Sequence, residues 1–130
     1  MTSPSNELVQ EFRRSADGNI AALKSDFDAV LGDGPDAAGA IGRMLATLHV
    51  MRGQGTSFGY PLITEIAGNL DDFLHRLRPP IDQTQMETMR HHLSALDLVL
   101  NRDIRGKGGD SGARLIATLQ RLTHDVPPTH

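Results

Sequence analysis

LHVMRGQGTSFGYPLI, residues 48–63, reads as the end of one helix, a glycine-rich break and the start of another. Upstream of the break, Ile41, Leu45, Leu48 and Met51 fall on one stripe, which predicts a helix over roughly 36–54. GTSFG interrupts that pattern. Pro61 then suits the first position of a new helix, where its missing N–H is no loss, and Ile63, Ile66, Leu70, Phe73, Leu74 and Leu77 continue at helical spacing.

Working outward, every other apolar segment shows the same period. Leu8 and Phe12 stand at i, i+4 in a short opening helix from Glu7 to about Ser15. Asp17-Gly18 is expected to interrupt it before a second segment carrying Ile20, Leu23, Phe27 and Leu31. GDGPD at 32–36 marks a turn, and RPPI at 78–81 ends the helix begun at Pro61. Asp82 is a suitable N-cap for a helix to about Arg102, with Met86, Met89, Leu93, Leu96 and Leu100 inward. RGKGGDSG at 105–112 reads as a loop without the spacing of a phosphate-binding loop. Ala113 to His124 forms a last helix with Leu115, Leu119 and Leu122 inward, and residues 125–130 are expected to fray. No period-2 run rich in Val, Ile and Thr marks a strand. The expected fold is all-α: an antiparallel up-and-down four-helix bundle with an additional short N-terminal helix within residues 1–17, the whole of 1–130 forming one domain.

Composition narrows the function. Of 130 residues, 38% are apolar and 22% charged, with a net charge of −3, unlike the basic balance of a general nucleic-acid binder. Aromatic residues make up only 4%, with no Trp, so stacking platforms for single strands are lacking as well. The absence of Cys excludes disulfides and thiolate metal sites. With neither a signal-like N-terminus nor an apolar run long enough to span a bilayer, a cytoplasmic protein without membrane partners is expected.

His49 is the residue to which the chemistry points. At 100° per residue it sits on the shoulder of the 36–54 helix, between the stripe of Ile41, Met44, Leu45 and Leu48 and the solvent side of Arg43, Thr47 and Gln54. Ala38, Gly42, Ala46 and Gly53 lie within about 60° of it, so the face around the imidazole is cleared of bulk. Such a ring is open to a large partner and has a nitrogen free to act as nucleophile. Arg52, at i+3, can reach the same space and offset the charge of a phosphoryl group bonded there. Gly53 is expected to be helical, so ending the helix does not account for it.

This stretch resembles the signature of histidine-containing phosphotransfer (Hpt) domains: a His, two residues, a basic residue, Gly, and another Gly about six residues later opening a new helix. His49, Arg52, Gly53 and Gly59 match those positions. The resemblance implies a four-helix bundle with the phosphorylated His exposed midway along it. It further implies a phosphorelay intermediate in two-component signal transduction. His49 would accept a phosphoryl group from a receiver-domain aspartate and pass it to another response-regulator receiver, with a hybrid histidine kinase as a further partner. The chain itself would need no cofactor, because in that family the receiver supplies the Mg²⁺ and most catalytic groups, so it would be a carrier and not an enzyme. Arg52 stands where the family usually has Lys; it keeps the charge with a bulkier, planar head.

Under this resemblance Gly42, Ala46, Gly53, Gln54, Thr56 and Tyr60 are expected to give access to the partner or to dock it, Phe58 to plug the core, and Gly59 and Pro61 to shape the turn. The alternative is a helical adapter that binds a receiver or kinase without carrying phosphate. A kinase dimerisation segment fits less well, since Val50 and not an acidic residue follows His49. His91 and His92 diverge by 100° and share a metal with difficulty. Asp71-Asp72 reads as a solvated helix face, and His75, His124 and His130 as solvated or tail residues.

Overall fold

The computed structural model describes residues 5–32, 35–78 and 80–125. Its elements are α1 (Asn6–Leu31), α2 (Ala37–Gln54), a 3-10 turn (Thr56–Phe58), α3 (Pro61–Arg76), α4 (Gln83–Asn101) and α5 (Gly109–Asp125). Residues 1–4 and 126–130, together with Asp33 and Gly34 of the expected GDGPD turn and Pro79 of RPPI, lie outside the described residues.

The first helix corrects an expectation. Asp17-Gly18 does not break it: α1 runs unbroken for 26 residues and buries Val9, Phe12, Ala16, Ile20, Leu23, Phe27 and Val30 along one stripe. A glycine in a helix interior costs about 1 kcal/mol, whereas each large apolar side chain in that stripe contributes about 1.5–3 kcal/mol on burial. Continuity of the stripe therefore prevails over the local weakness at Gly18. Ser5 caps the N-terminus by accepting from the Leu8 N–H at 3.2 Å.

Consecutive helices pack antiparallel, α2 between α1 and α3, and α4 closes the ring against α3 and α1. The fifth helix lies on α3 and α4. An all-α bundle of four helices plus one is thus formed as expected, with the N-terminal segment merged into α1. The shared core is aliphatic: Leu23, Met44, Leu48, Ile63, Ile66, Leu70, Met89 and Leu96 are buried in it, with Phe73 among them. Asp82 and Gln85 form a capping box that starts α4, each side chain meeting the other's backbone N–H at 2.7 and 3.0 Å. Lys24 of α1 pairs with Asp97 of α4, and Arg43 of α2 reaches Asp26 of α1 at 2.9 Å. In both pairs the basic partner is about half exposed, so they add register more than stability.

The 105–112 loop is shorter than the sequence suggests, since α5 begins at Gly109. Gly112 is buried there. A Cβ on it would lie 1.9 Å from the Lys107 carbonyl oxygen, so the tight approach requires glycine inside the helix's first turn. No helix among the described residues is long and apolar enough to cross a membrane.

Candidate functional site

The site is built on the turn that returns α2 to α3. A Cβ at Gly55 would come within 2.5 Å of Thr64 Oγ1 and 2.8 Å of the Tyr60 carbonyl oxygen, so α3 can pack this closely only over a glycine. The Gly55 carbonyl accepts from the Phe58 and Tyr60 N–H groups at 3.2 and 2.8 Å. Thr64 Oγ1 accepts from the Thr56 N–H at 2.8 Å and from the Thr56 hydroxyl at 3.1 Å. Gly59 closes the turn at φ 91°, a left-handed conformation that disfavours residues with a Cβ. Pro61 opens α3. Gly59 and Pro61 lie at the junction of the 3-10 turn and α3.

Both aromatic residues of the turn face inward. Phe58 is half-buried and stacks on Phe12 of α1, with ring centroids 4.8 Å apart. Tyr60 corrects an expectation: it is wholly buried and cannot be a rim contact for a partner. Its ring lies 5.5 Å from that of Phe12, and its hydroxyl donates to the Asp103 carboxylate just past α4. Burial, and then the Asp103 hydrogen bond, hold the Tyr60 phenol above its usual range. The same bond, followed by those from Arg105 and nearby charge, holds the Asp103 carboxyl below its own. A tyrosine after Gly and before Pro looks solvent-facing in a sequence; its partner is 43 residues away.

On this frame His49 is exposed on α2, and its side chain makes no hydrogen bond or ion pair among the described residues. Ala38, Gly42, Ala46 and Gly53 are also exposed. Gly53 is helical, one residue before the end of α2. A Cβ added at Gly42 or Gly53 would meet nothing within 4 Å. Among the described residues nothing therefore needs glycine at either position, in contrast to Gly55. Gln54 and Thr56 are exposed too, although Thr56 is already engaged by Thr64.

Arg52 is turned toward α3. Its Nη1 donates to Asp71 Oδ2 and to Asp72 Oδ1, each at 3.1 Å. Beneath it lies Gly68, where a Cβ would sit 3.2 Å from Arg52 Nε. Asp72 first and Asp71 second raise the guanidinium's hold on its proton. This corrects the expectation of a solvated Asp71-Asp72 face: the Asp71 side chain is 5% exposed against 65% for Asp72. His75, exposed, completes the cluster, with Nδ1 2.9 Å from the Asp71 carbonyl oxygen and 3.4 Å from Asp71 Oδ1. Sequence reasoning missed these carboxylates because they meet Arg52 only across the α2–α3 contact. The available signal was Asp71 at the helical spacing of the core residues Ala67, Leu70 and Leu74.

His92 is fully buried on α4, while His91 is exposed. Asn69 Nδ2 donates to His92 Nε2 at 2.9 Å, and His92 Nδ1 donates to the Thr88 carbonyl at 2.8 Å. Burial pulls its pKa down to about 4. Thr123 of α5 reaches Asn69 Oδ1 at 3.4 Å, so three helices share the network. Among the described residues no group of three or more His, Asp or Glu side chains is placed to hold a metal ion.

A family model described as the Hpt domain matches residues 7–99, which run from the first turn of α1 almost to the end of α4. No curated protein matches the chain, and no solved structure does.

Proposed function

Since this chain belongs to the Hpt domain family, we propose that His49 is its phosphoacceptor and that it relays a phosphoryl group between receiver domains. Hpt domains are phosphoryl carriers in phosphorelays, exchange the group with receiver domains and are not enzymes. The single observation that supports His49 is its combination of exposure, a side chain without a partner among the described residues, and position on α2 beside two glycines that packing among those residues does not need. The other histidines described in α3 and α4 lack this combination: His92 is buried, His75 is bonded to its own helix, and His91, though exposed, has no glycine on its helix.

In the forward step a lone pair on the His49 ring attacks the phosphorus of a receiver's phospho-aspartate. The N–P bond forms as the acyl P–O bond breaks, and the electron pair returns to the aspartate carboxylate. The proton on the imidazole's other nitrogen is retained or shed to solvent. Reversal delivers the group to a second receiver. Arg52 supplies positive charge one turn away, where it offsets the phosphoryl charge. The same proposal places the chain in the cytoplasm with its receivers.

Incubation with a phosphorylated receiver is expected to give an acid-labile, base-stable label on the chain. His49→Gln abolishes it while leaving helical circular dichroism unchanged. Label retained in that variant would overturn the assignment; receiver binding without any label in the parent chain would favour the adapter.

A further inference from the structure

Arg52 presents five N–H hydrogens in a planar fork, and the structure shows how they are divided. Asp71 and Asp72 of α3 both take Nη1 alone. Among the described residues nothing takes Nε–H or the Nη2 hydrogens. The guanidinium rests over Gly68, where even one added carbon would crowd Nε at 3.2 Å. His49 lies three residues back on α2, with Cβ atoms about 5–6 Å apart at that spacing.

We propose that Gly68, Asp71 and Asp72 form a seat on α3 that pins Arg52 through one nitrogen and leaves its Nε–Nη2 edge to bind the phosphoryl oxygens on His49. This rests on His49 carrying the phosphoryl group. The three are positioning residues: they act on the phosphoryl group only through Arg52. A free arginine would lose side-chain entropy on gripping a phosphoryl group, whereas one pinned to a buried carboxylate has lost much of it already. Asp71 suits the anchoring role because it is held inside the bundle, and Asp72 adds a second acceptor at the rim.

Phosphoramidate tests this without any receiver. The His49 nitrogen bonds to phosphorus as the donor's P–N bond breaks and ammonia leaves. Label lifetime and the Arg52 Nε–H proton resonance are then followed by NMR in the parent chain, Asp72→Asn, Asp71→Asn and Arg52→Ala. In the parent, phosphorylation shifts the Nε–H resonance. Asp72→Asn keeps the helical spectrum and shortens the phosphohistidine lifetime about threefold, as expected for a partly exposed ionic contact. Because Asp72 is exposed, this variant holds the test open even if Asp71→Asn fails to fold. In the Arg52→Ala background the Asp72 substitution changes nothing further. An unchanged or lengthened lifetime in Asp72→Asn, or an effect that persists without Arg52, overturns the seat while His49 remains labelled. No label on His49 from phosphoramidate or from a phosphorylated receiver overturns the carrier role itself, and the seat with it.

Discussion

A side chain at Gly53 would project into open space, whereas one at Gly55 would strike Thr64 and the Tyr60 carbonyl. Packing among the described residues explains the second glycine and not the first, which the proposed role assigns to a docking partner. Gly53→Leu is therefore expected to fold at least as well as the parent, because leucine is the better helix former. It loses acceptance from a receiver about tenfold or more, the consequence of a clash worth about 1.4 kcal/mol. Labelling by phosphoramidate, which needs no docking surface, persists. Receiver transfer at the parental rate would show that Gly53 gives no clearance. Spacing alone brought His49, Gly53, Gly59 and Pro61 into view, since each acts through its local backbone or through solvent. Tyr60 was misjudged, and the carboxylates around Arg52 were missed, for the opposite reason: these surroundings are set by Asp103, Asp71 and Asp72, which no local pattern connects to them.

Among the elements, α1 shows how a repeated apolar pattern overcomes a local breaker. Gly18 is exposed and nothing lies within 4 Å of the position its Cβ would take. Gly18→Ala is accordingly expected to stabilise the chain by about 1 kcal/mol and raise the thermal midpoint by roughly 3–4 °C, with phosphotransfer unchanged. A lower midpoint in thermal unfolding would mean that α1 depends on a bend at this glycine. Helix positions were legible because the core stripes recur at 3–4 residues in every element, as from Met89 through Leu93 to Leu96. Helix ends were less so. The start of α5 at Gly109 depends on Gly112 meeting the Lys107 backbone, a close contact that glycine-rich composition reads equally well as a loop.

For the molecule as a whole, the buried His92 links α4 to Asn69 of α3, and through it to Thr123 of α5. Its folded pKa, drawn down to about 4 by burial with a small contribution from His91, lies below the ordinary value of 6.5. Between those values the unfolded chain binds the extra proton, so stability rises with pH across the window. The contribution is complete above pH 6.5 and declines as pH falls toward 4, by about 3 kcal/mol in total. Urea unfolding at a series of pH values is expected to show this slope, and His92→Gln to flatten it; an equal slope in the variant would assign it to other groups. The turn between α2 and α3 has a different consequence. It is fastened by Gly55, Thr64 and the Tyr60–Asp103 bond, so on the proposed role the surface around His49 is a fixed outline that a phosphoryl group would change in charge and hardly in shape. A receiver meeting that outline finds much the same contour on the loaded and the empty carrier. Empty copies would then compete for the same receivers, and throughput would depend on total carrier abundance as well as on the loaded fraction.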